Sequence, residues 1–208
     1  MDINQYILVL SFVIALIIFY LRKKDVLPYF LVFLLISIVY EFTIGNDIEV
    51  HLKNRYTAYS IFGSMTITYY LFLYLREIVL KKVYVFFLIM GFLVFSFLNM
   101  FFIQGLYRFN NLSYNLGIMM VILSVFLYLK KIVIHAQTRK LASMPLFWLG
   151  LGLISFYCSV FPILIFSNRL MELDIEFATA LFDIVRIGNI FLALSFVMVS
   201  LCPILIKN

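Results

Sequence analysis

An aspartate, an arginine and an asparagine stand at three-residue intervals in the apolar run ATALFDIVRIGNIFLALSF, as Asp183, Arg186 and Asn189. At about 100° per residue they lie within about 120° of one another on one broad helix face. A charge at the centre of a bilayer costs about 2.5–3.5 kcal/mol on insertion scales, and carboxylates nearby compensate an arginine. Glu41, in the run IVYEFTIG, is an acid at a similar predicted depth. We therefore expect Glu41, Asp183, Arg186 and Asn189 to form a ligand-binding site or a buried ion pair that faces the bundle interior or an outer cavity.

Structural alternatives remain open for the same residues. Arg186 can snorkel along its long side chain towards the membrane surface. Asp183 can lie in the first turn of its helix, where the helix dipole favours an acid. Glu41 can be an ordinary interfacial residue, and an ion pair between the second and seventh helices needs no ligand.

The composition places these residues in a membrane. The chain has 208 residues, of which 65% are hydrophobic and 12% charged, and its mean hydropathy is +1.11. A soluble domain of this length cannot bury so much apolar surface. A spanning helix needs about 20 mostly apolar residues. Seven segments meet that need: 3–21, 26–45, 57–75, 83–103, 112–129, 144–166 and 177–203. The apolar runs are continuous rather than alternating, which favours helices over a barrel.

We therefore predict an all-α integral membrane protein, a seven-transmembrane-helix bundle formed by one domain over residues 1–208. The first helix is expected to remain in the mature chain, because MDINQ lacks the positive region of a signal peptide.

The charges beside the helices predict the orientation. The segments LRKKD, LREIVLKK, LKKIVIHAQTRK and Lys207 hold eleven basic and two acidic residues, whereas the opposite side holds four basic and six acidic residues. Basic residues concentrate on the cytoplasmic side. This predicts an outer N-terminus, a cytoplasmic C-terminus and inner loops at 22–25, 76–82 and 130–143, in a multi-pass protein of the bacterial cytoplasmic membrane. The net charge of +6 then indicates contact with the lipid bilayer and its anionic headgroups rather than with nucleic acid.

Motifs of known chemistry are missing from the sequence. There is no phosphate-binding glycine loop, Gly-x-Ser-x-Gly or His-Glu-x-x-His. A rhomboid-like protease needs a histidine within a helix, a CAAX-type protease needs paired glutamates, and a retinal protein needs a lysine in its last helix. The sequence has none of these. His51 and His135 are predicted in loops without a third ligand, and Cys158 and Cys202 at depths too different for a disulfide. We expect no enzymatic activity, no cofactor and no metal site.

Further polar residues are predicted in the outer half of the bundle. They are Asn99 and Gln104 on the fourth helix, Asn110, Asn111 and Asn115 at the start of the fifth, and Ser60, Ser64, Thr66 and Thr68 on the third. Small and hydroxyl residues allow close helix packing in lipid. Packing is therefore the preferred interpretation of the third helix, and of Gly150 and Gly152 on the sixth.

The runs PLFWLGLGLISFY, FPILIFSN and FDIVRIGNIFLALSF, with the acid Glu41 in the second span, resemble the C-terminal half of small bacterial seven-helix membrane domains. Such domains precede, or occur apart from, sensor histidine kinases. The resemblance implies a sensor-like input module without activity of its own. Because the chain ends at CPILIKN, its output is expected to pass to a separate cytoplasmic or membrane signalling partner.

Two other functions remain open. Seven helices can be arranged as 3+1+3, as in small-solute transporters with parallel repeats, and Pro28 and Pro145 occupy corresponding positions in helices two and six. A membrane-disrupting or structural subunit is the other alternative. Transport requires polar groups across the bilayer centre, but the inner half of the last helix offers only Ser195 and Ser200. This favours the input module, while the ligand and the oligomeric state are not readable from the sequence.

Overall fold

The computed structural model describes residues 3–22, 29–43, 55–78, 81–105, 110–135, 141, 144–166 and 175–205. These ranges are helical and contain no strand, which confirms the all-α prediction. The helices are α1 (Ile3–Arg22), α2 (Phe30–Thr43), α3 (Arg55–Ile78), α4 (Lys82–Leu98) with a π-helical turn (Asn99–Ile103), α5 (Asn111–His135), α6 (Pro145–Phe166) and α7 (Ile175–Leu205).

The helix ends differ from the predicted segments at two informative places. α2 begins at Phe30 rather than at residue 26, because Tyr29 has a φ of 58°, a left-handed conformation that interrupts a right-handed helix. α5 continues to His135, so the predicted inner loop at 130–143 is wrong for its first six residues. Lys130 and Lys131 are good helix formers, and loss of hydropathy alone therefore does not end this helix.

Among the described residues, four helices are long and apolar enough to cross a membrane: Lys82–Ile103, Asn111–Ile134, Pro145–Ile163 and Asp183–Cys202. The apolar parts of α1 and α2, Gln5–Leu21 and Phe30–Phe42, are shorter. α3 has 24 residues, about 36 Å of helix, but many of its side chains are hydroxyl-bearing. The protein is therefore membrane-embedded and helical. That the chain crosses the membrane seven times, and in which orientation, stays a prediction.

The chain divides into two compact units, Met1–Phe42 with Gln137–Asn208, and Thr43–Ala136. The first unit contains α1, α2, α6 and α7, and the second contains α3, α4, the π turn and α5. The single domain of the sequence analysis stays a prediction.

In the first unit, α7 packs against both α1 and α6. Two glycine–serine contacts hold α6 close to α7: Gly152 lies beside Ser195, and Gly188 lies beside Ser159. On each helix the glycine and the serine are seven residues apart, and the glycine of one helix faces the serine of the other. The two helices therefore run antiparallel at close range. The predicted packing role of Gly152 agrees with this contact. α2 joins α7 through Phe30 and Phe33, whose ring centroids lie 6.0 and 5.9 Å from that of Phe196.

In the second unit, α3 packs against α4 and α5. Gly117 of α5 lies directly against Ile67 of α3 and Phe92 of α4. Large side chains fill the rest of this interface: Tyr70 and Tyr74 of α3 are buried, and the Tyr74 ring meets Tyr128 edge to face at 5.5 Å. These contacts fix the three helices that carry the polar cluster described below.

Candidate functional site

The four residues predicted as a site lie in the first unit. Glu41 is near the end of α2 and is exposed. Asp183 and Arg186 are both exposed on α7, whereas Asn189 is half-buried. Asp183 and Arg186 both belong to the candidate span Asp183–Cys202, and eight residues of the helix precede Asp183. Arg186 lies about one turn further along the helix than Asp183.

The contacts of α2 with α7 set the relative levels of these residues. Glu41 lies about 12 Å along α2 from Phe33, and Arg186 lies about 15 Å along α7 from Phe196. With the predicted topology, in which α2 and α7 run in opposite directions, the two charged residues reach similar depths. At 100° per residue Asn189 is about 20° from Phe196 on α7, Arg186 about 80° and Asp183 about 140°. The face of α7 turned towards α2 thus carries Asn189 rather than the two charges.

The structure records no ion pair between Asp183 and Arg186, both of which have described side chains. One ion pair among the described residues joins Arg76 to the adjacent Glu77 at 3.9 Å, with both side chains about half exposed. A binding site or buried ion pair built from Glu41, Asp183, Arg186 and Asn189 stays a prediction.

A second group of polar residues is brought together in the other unit. We name it the Asn99 cluster: Ser60 and Ser64 of α3, Ser96 of α4, Asn99 of the π turn, Gln104 after it, and Asn110 and Ser113 at the start of α5. All its members are uncharged. It lies at the N-terminal half of α3, where α4 ends and α5 begins, which is the outer side in the predicted orientation.

The backbone explains why the cluster forms at this place. In the π turn, the Gln104 N–H donates to the Asn99 carbonyl at 2.8 Å, and Gly105 follows with a φ of 81°, which favours glycine. Asn110 accepts the N–H of Tyr114 at 3.0 Å and so caps α5, a position where asparagine is common. The Gln104 side chain accepts the Leu112 N–H at 3.3 Å, which satisfies another free donor at the start of that helix.

Asn99 is the centre of the cluster and is fully buried. Its Nδ2 donates to Gln104 Oε1 at 2.8 Å and to Ser113 Oγ at 2.9 Å, and it also contacts Asn110 Oδ1. The Asn110 Nδ2 in turn donates to the backbone oxygen of Ser96 at 3.1 Å and lies 3.3 Å from Ser96 Oγ. The end of α4 is thereby tied to the start of α5.

Two serines connect α3 to the same network. Ser60 Oγ accepts the Asn110 N–H at 3.3 Å. Ser64 Oγ lies 2.8 Å from the Ser60 carbonyl and 2.7 Å from Ser96 Oγ. Because a serine has one hydroxyl hydrogen, and that of Ser64 goes to the carbonyl, Ser96 must donate to Ser64. The cluster therefore spans three helices through a directed chain of hydrogen bonds.

Acceptors outnumber donors at the centre of the Asn99 cluster. Asn99 Nδ2 carries two hydrogens but has three acceptors within reach. The Asn99 Oδ1 atom is buried, and no described group donates to it. The same holds for Asn115 Oδ1, further along α5. A buried oxygen without a donor costs free energy, so this place suits a molecule that brings O–H or N–H donors.

The sequence identified most of these residues but not their arrangement. The sequence predicts Asn99, Gln104 and Asn110 in the outer half and favours a packing role for Ser60 and Ser64, but it does not indicate Ser96 or Ser113. The available signal is the i, i+3 spacing of Ser96 with Asn99 and of Asn110 with Ser113, which puts each pair on one helix face.

Within the described ranges, no group of three or more His, Cys, Asp and Glu side chains could hold a metal ion. Cys158 is an exposed free thiol, and Cys202 is a buried one. His135 is the last residue of α5 rather than part of a loop, and His51 lies outside the described residues.

No protein-family model, curated protein or solved structure matches this chain. The likeness to the membrane domains of sensor kinases therefore rests on the sequence motifs alone.

Proposed function

We propose that this protein is a non-enzymatic membrane input module that detects a small uncharged polar ligand from the outer side. Its signal passes to a separate cytoplasmic or membrane partner. The observation that carries the proposal is the Asn99 cluster, in which a fully buried amide oxygen has no described donor. A ligand with O–H or N–H groups would supply that donor.

The arrangement of the second unit suits the transmission of a signal. The Asn99 cluster ties α3, α4 and α5 together at one end. Towards the other end, Lys131 Nζ of α5 donates to the backbone oxygen of Glu77 on α3. Exposed basic residues surround this contact: Arg76, Lys81, Lys82 and Lys130. We assign this basic end to the partner, because charge complementarity steers association.

The π turn supplies the movable element in this scheme. Its i, i+5 hydrogen bond from Gln104 to Asn99 includes one residue more than an α-helical turn, and such turns are frequent at functional sites. A ligand that takes over a hydrogen bond of Asn99 changes the contacts that hold the end of α4 against α5. The helices would then shift at the outer end and carry the change to the basic end.

The transporter alternative has one observation in its favour. The Oγ1 atoms of Thr66 and Thr68 are buried without a described hydrogen-bond partner, and both residues lie deeper on α3 than Ser64. The compact units, however, group α1 and α2 with α6 and α7, which does not follow the two triplets of a 3+1+3 repeat. This grouping supports the input module.

Thermal unfolding of the purified protein in detergent, with a panel of small uncharged hydroxyl and amide compounds, tests the proposal. A ligand at 100 times its Kd adds about 2.7 kcal/mol of stability, so at least one compound should raise the Tm by several degrees. Asn99→Leu, which removes the buried Oδ1 acceptor that the ligand would use, should abolish that shift. Ser124→Ala is the matched control, since the Ser124 hydroxyl is buried in α5 but bonds only to Met120 of its own helix.

Uptake into proteoliposomes separates the alternatives. A compound that raises the Tm and is not taken up supports the input module. Uptake that Asn99→Leu abolishes would contradict the input module and support the transporter. If no compound in the panel shifts the Tm of the parent protein, the cluster is structural.

A further inference from the structure

We infer that a second copy of this chain covers the charged edge of α7, with Asp183 of each copy paired to Arg186 of the other. The inference is independent of the proposed function, because it concerns the other unit of the chain. It rests on exposed charges of opposite sign within a candidate membrane span.

The charged edge is unusual for a membrane helix. Asp183 and Arg186 are both exposed, and both belong to the candidate span Asp183–Cys202. Their exposed neighbours are apolar, with Ile184 at 49%, Ile187 at 55% and Leu194 at 47% exposure. Charged side chains in a membrane span face a bundle interior or pair with one another far more often than they face lipid.

α6 and α2 contact α7 on a different face, whereas α1 meets α7 at Ser200, about 40° from Arg186 around the helix but about 21 Å further along it. Gly188 and Ser195 contact α6, and Phe196 contacts α2. At 100° per residue these three positions lie about 120–140° from Asp183 around the helix. Asp183 is thus turned away from these contacts, and Arg186 is turned away from α6 and lies about 80° from Phe196.

Asp183 and Arg186 are complementary to their own copies. Two copies in one membrane share a topology, so a two-fold axis along the membrane normal makes their α7 helices parallel. The two residues are about 60° apart around α7 and about 4.5 Å apart along it. An axis that faces the midpoint between them puts each Asp183 opposite the Arg186 of the other copy, within the reach of an arginine side chain.

The direction of this axis determines which apolar residues of α7 lie in the interface. Ile190 and Val197 lie within about 10° of the midpoint between the two charges, and Leu194 within about 50°. Ile184 lies about 130° away although it is also exposed. The seam therefore has an aliphatic stripe below two reciprocal ion pairs, and Ile184 lies outside it.

Charge reversal with complementation in trans tests the pairing. Asp183→Arg makes both edge residues basic, and Arg186→Asp makes both acidic, so each variant alone should associate at least about tenfold more weakly than the parent. When the two variants are expressed together with different tags, both ion pairs are restored between unlike chains. Co-purification of the unlike chains should then approach that of two parent copies.

An ion pair within one chain gives a different result. It would be repaired by Asp183→Arg and Arg186→Asp in the same chain but not by mixing the single variants. A monomeric parent, or a mixture that associates no better than each variant alone, would overturn the inference.

Cysteine cross-linking in native membranes gives a second readout that does not alter the charges. In a chain with Cys158 and Cys202 replaced by alanine, Ile190→Cys should form a disulfide-linked dimer on oxidation. Ile184→Cys is the matched control and should remain monomeric. Equal cross-linking at the two positions would also contradict the proposed seam.

Discussion

Asn110 shows how one amide can serve three helices. Its backbone oxygen accepts the Tyr114 N–H at the start of α5, and its own N–H donates to Ser60 Oγ on α3. Its side chain donates to the backbone oxygen of Ser96 on α4. In an apolar environment, a buried hydrogen-bonding group that loses its partner costs about 1–3 kcal/mol. The residue is 3% exposed, so water cannot readily replace the lost contacts.

Asn110→Ala should therefore lower the free energy of unfolding by about 1–3 kcal/mol. Alanine leaves Ser96 and Asn99 without the side-chain partners that Asn110 provides. Ser124→Ala removes a buried hydroxyl that bonds only within α5, and its effect should be smaller. Chemical unfolding in detergent measures both changes, and equal losses would show that the Asn99 cluster adds nothing to helix association.

At the scale of elements, the contact of α6 with α7 depends on two positions without a side chain. A methyl group on Gly152 would lie 2.5 Å from Ser195 Cβ and 3.3 Å from the Leu192 Cα. A hydroxyl can rotate away, but a Cβ atom and a backbone cannot. The contact at Gly188 is similar, with Ser159 Cβ at 3.0 Å and the Phe156 Cα at 3.3 Å.

Gly152→Ala should force α6 away from α7 and destabilise the protein by about 1–3 kcal/mol, as overpacking usually does. Gly91→Ala on α4 is the control, since nothing lies within 4 Å of the added methyl, and it should be neutral or slightly stabilising. Adding Ser195→Gly to Gly152→Ala should recover part of the loss. A Tm of Gly152→Ala equal to that of the parent would mean that the helices separate at no cost.

The sequence predicts the helices better than their ends or contacts. Continuous apolar runs identify the seven α-helices of the described ranges, because a continuous rather than alternating apolar run in lipid indicates a helix and not a barrel strand. The start of α2 depends on the left-handed backbone of Tyr29, which a count of apolar residues in the sequence does not reveal. The Asn99 cluster depends on which helices meet, and Ser96 and Ser113 carry no signal of their partners on other helices. The exposure of Asp183 and Arg186 likewise depends on the rotation of α7 in its unit.

At the scale of the whole molecule, the charge distribution makes the orientation testable. The predicted topology puts Asn168 outside and Lys131 inside. In a chain whose two cysteines are replaced by alanine, a membrane-impermeant thiol reagent should label Asn168→Cys in intact cells. It should label Lys131→Cys only after lysis, and labelling of that variant in intact cells would invert the topology.

The neutral composition of the Asn99 cluster has a consequence for the conditions under which the protein works. Serine, asparagine and glutamine neither gain nor lose protons over the range in which cells live, and ions in solution hardly screen their hydrogen bonds. In the proposed input module, a site made of amides and hydroxyls would therefore keep its affinity for the ligand when pH and salt concentration change.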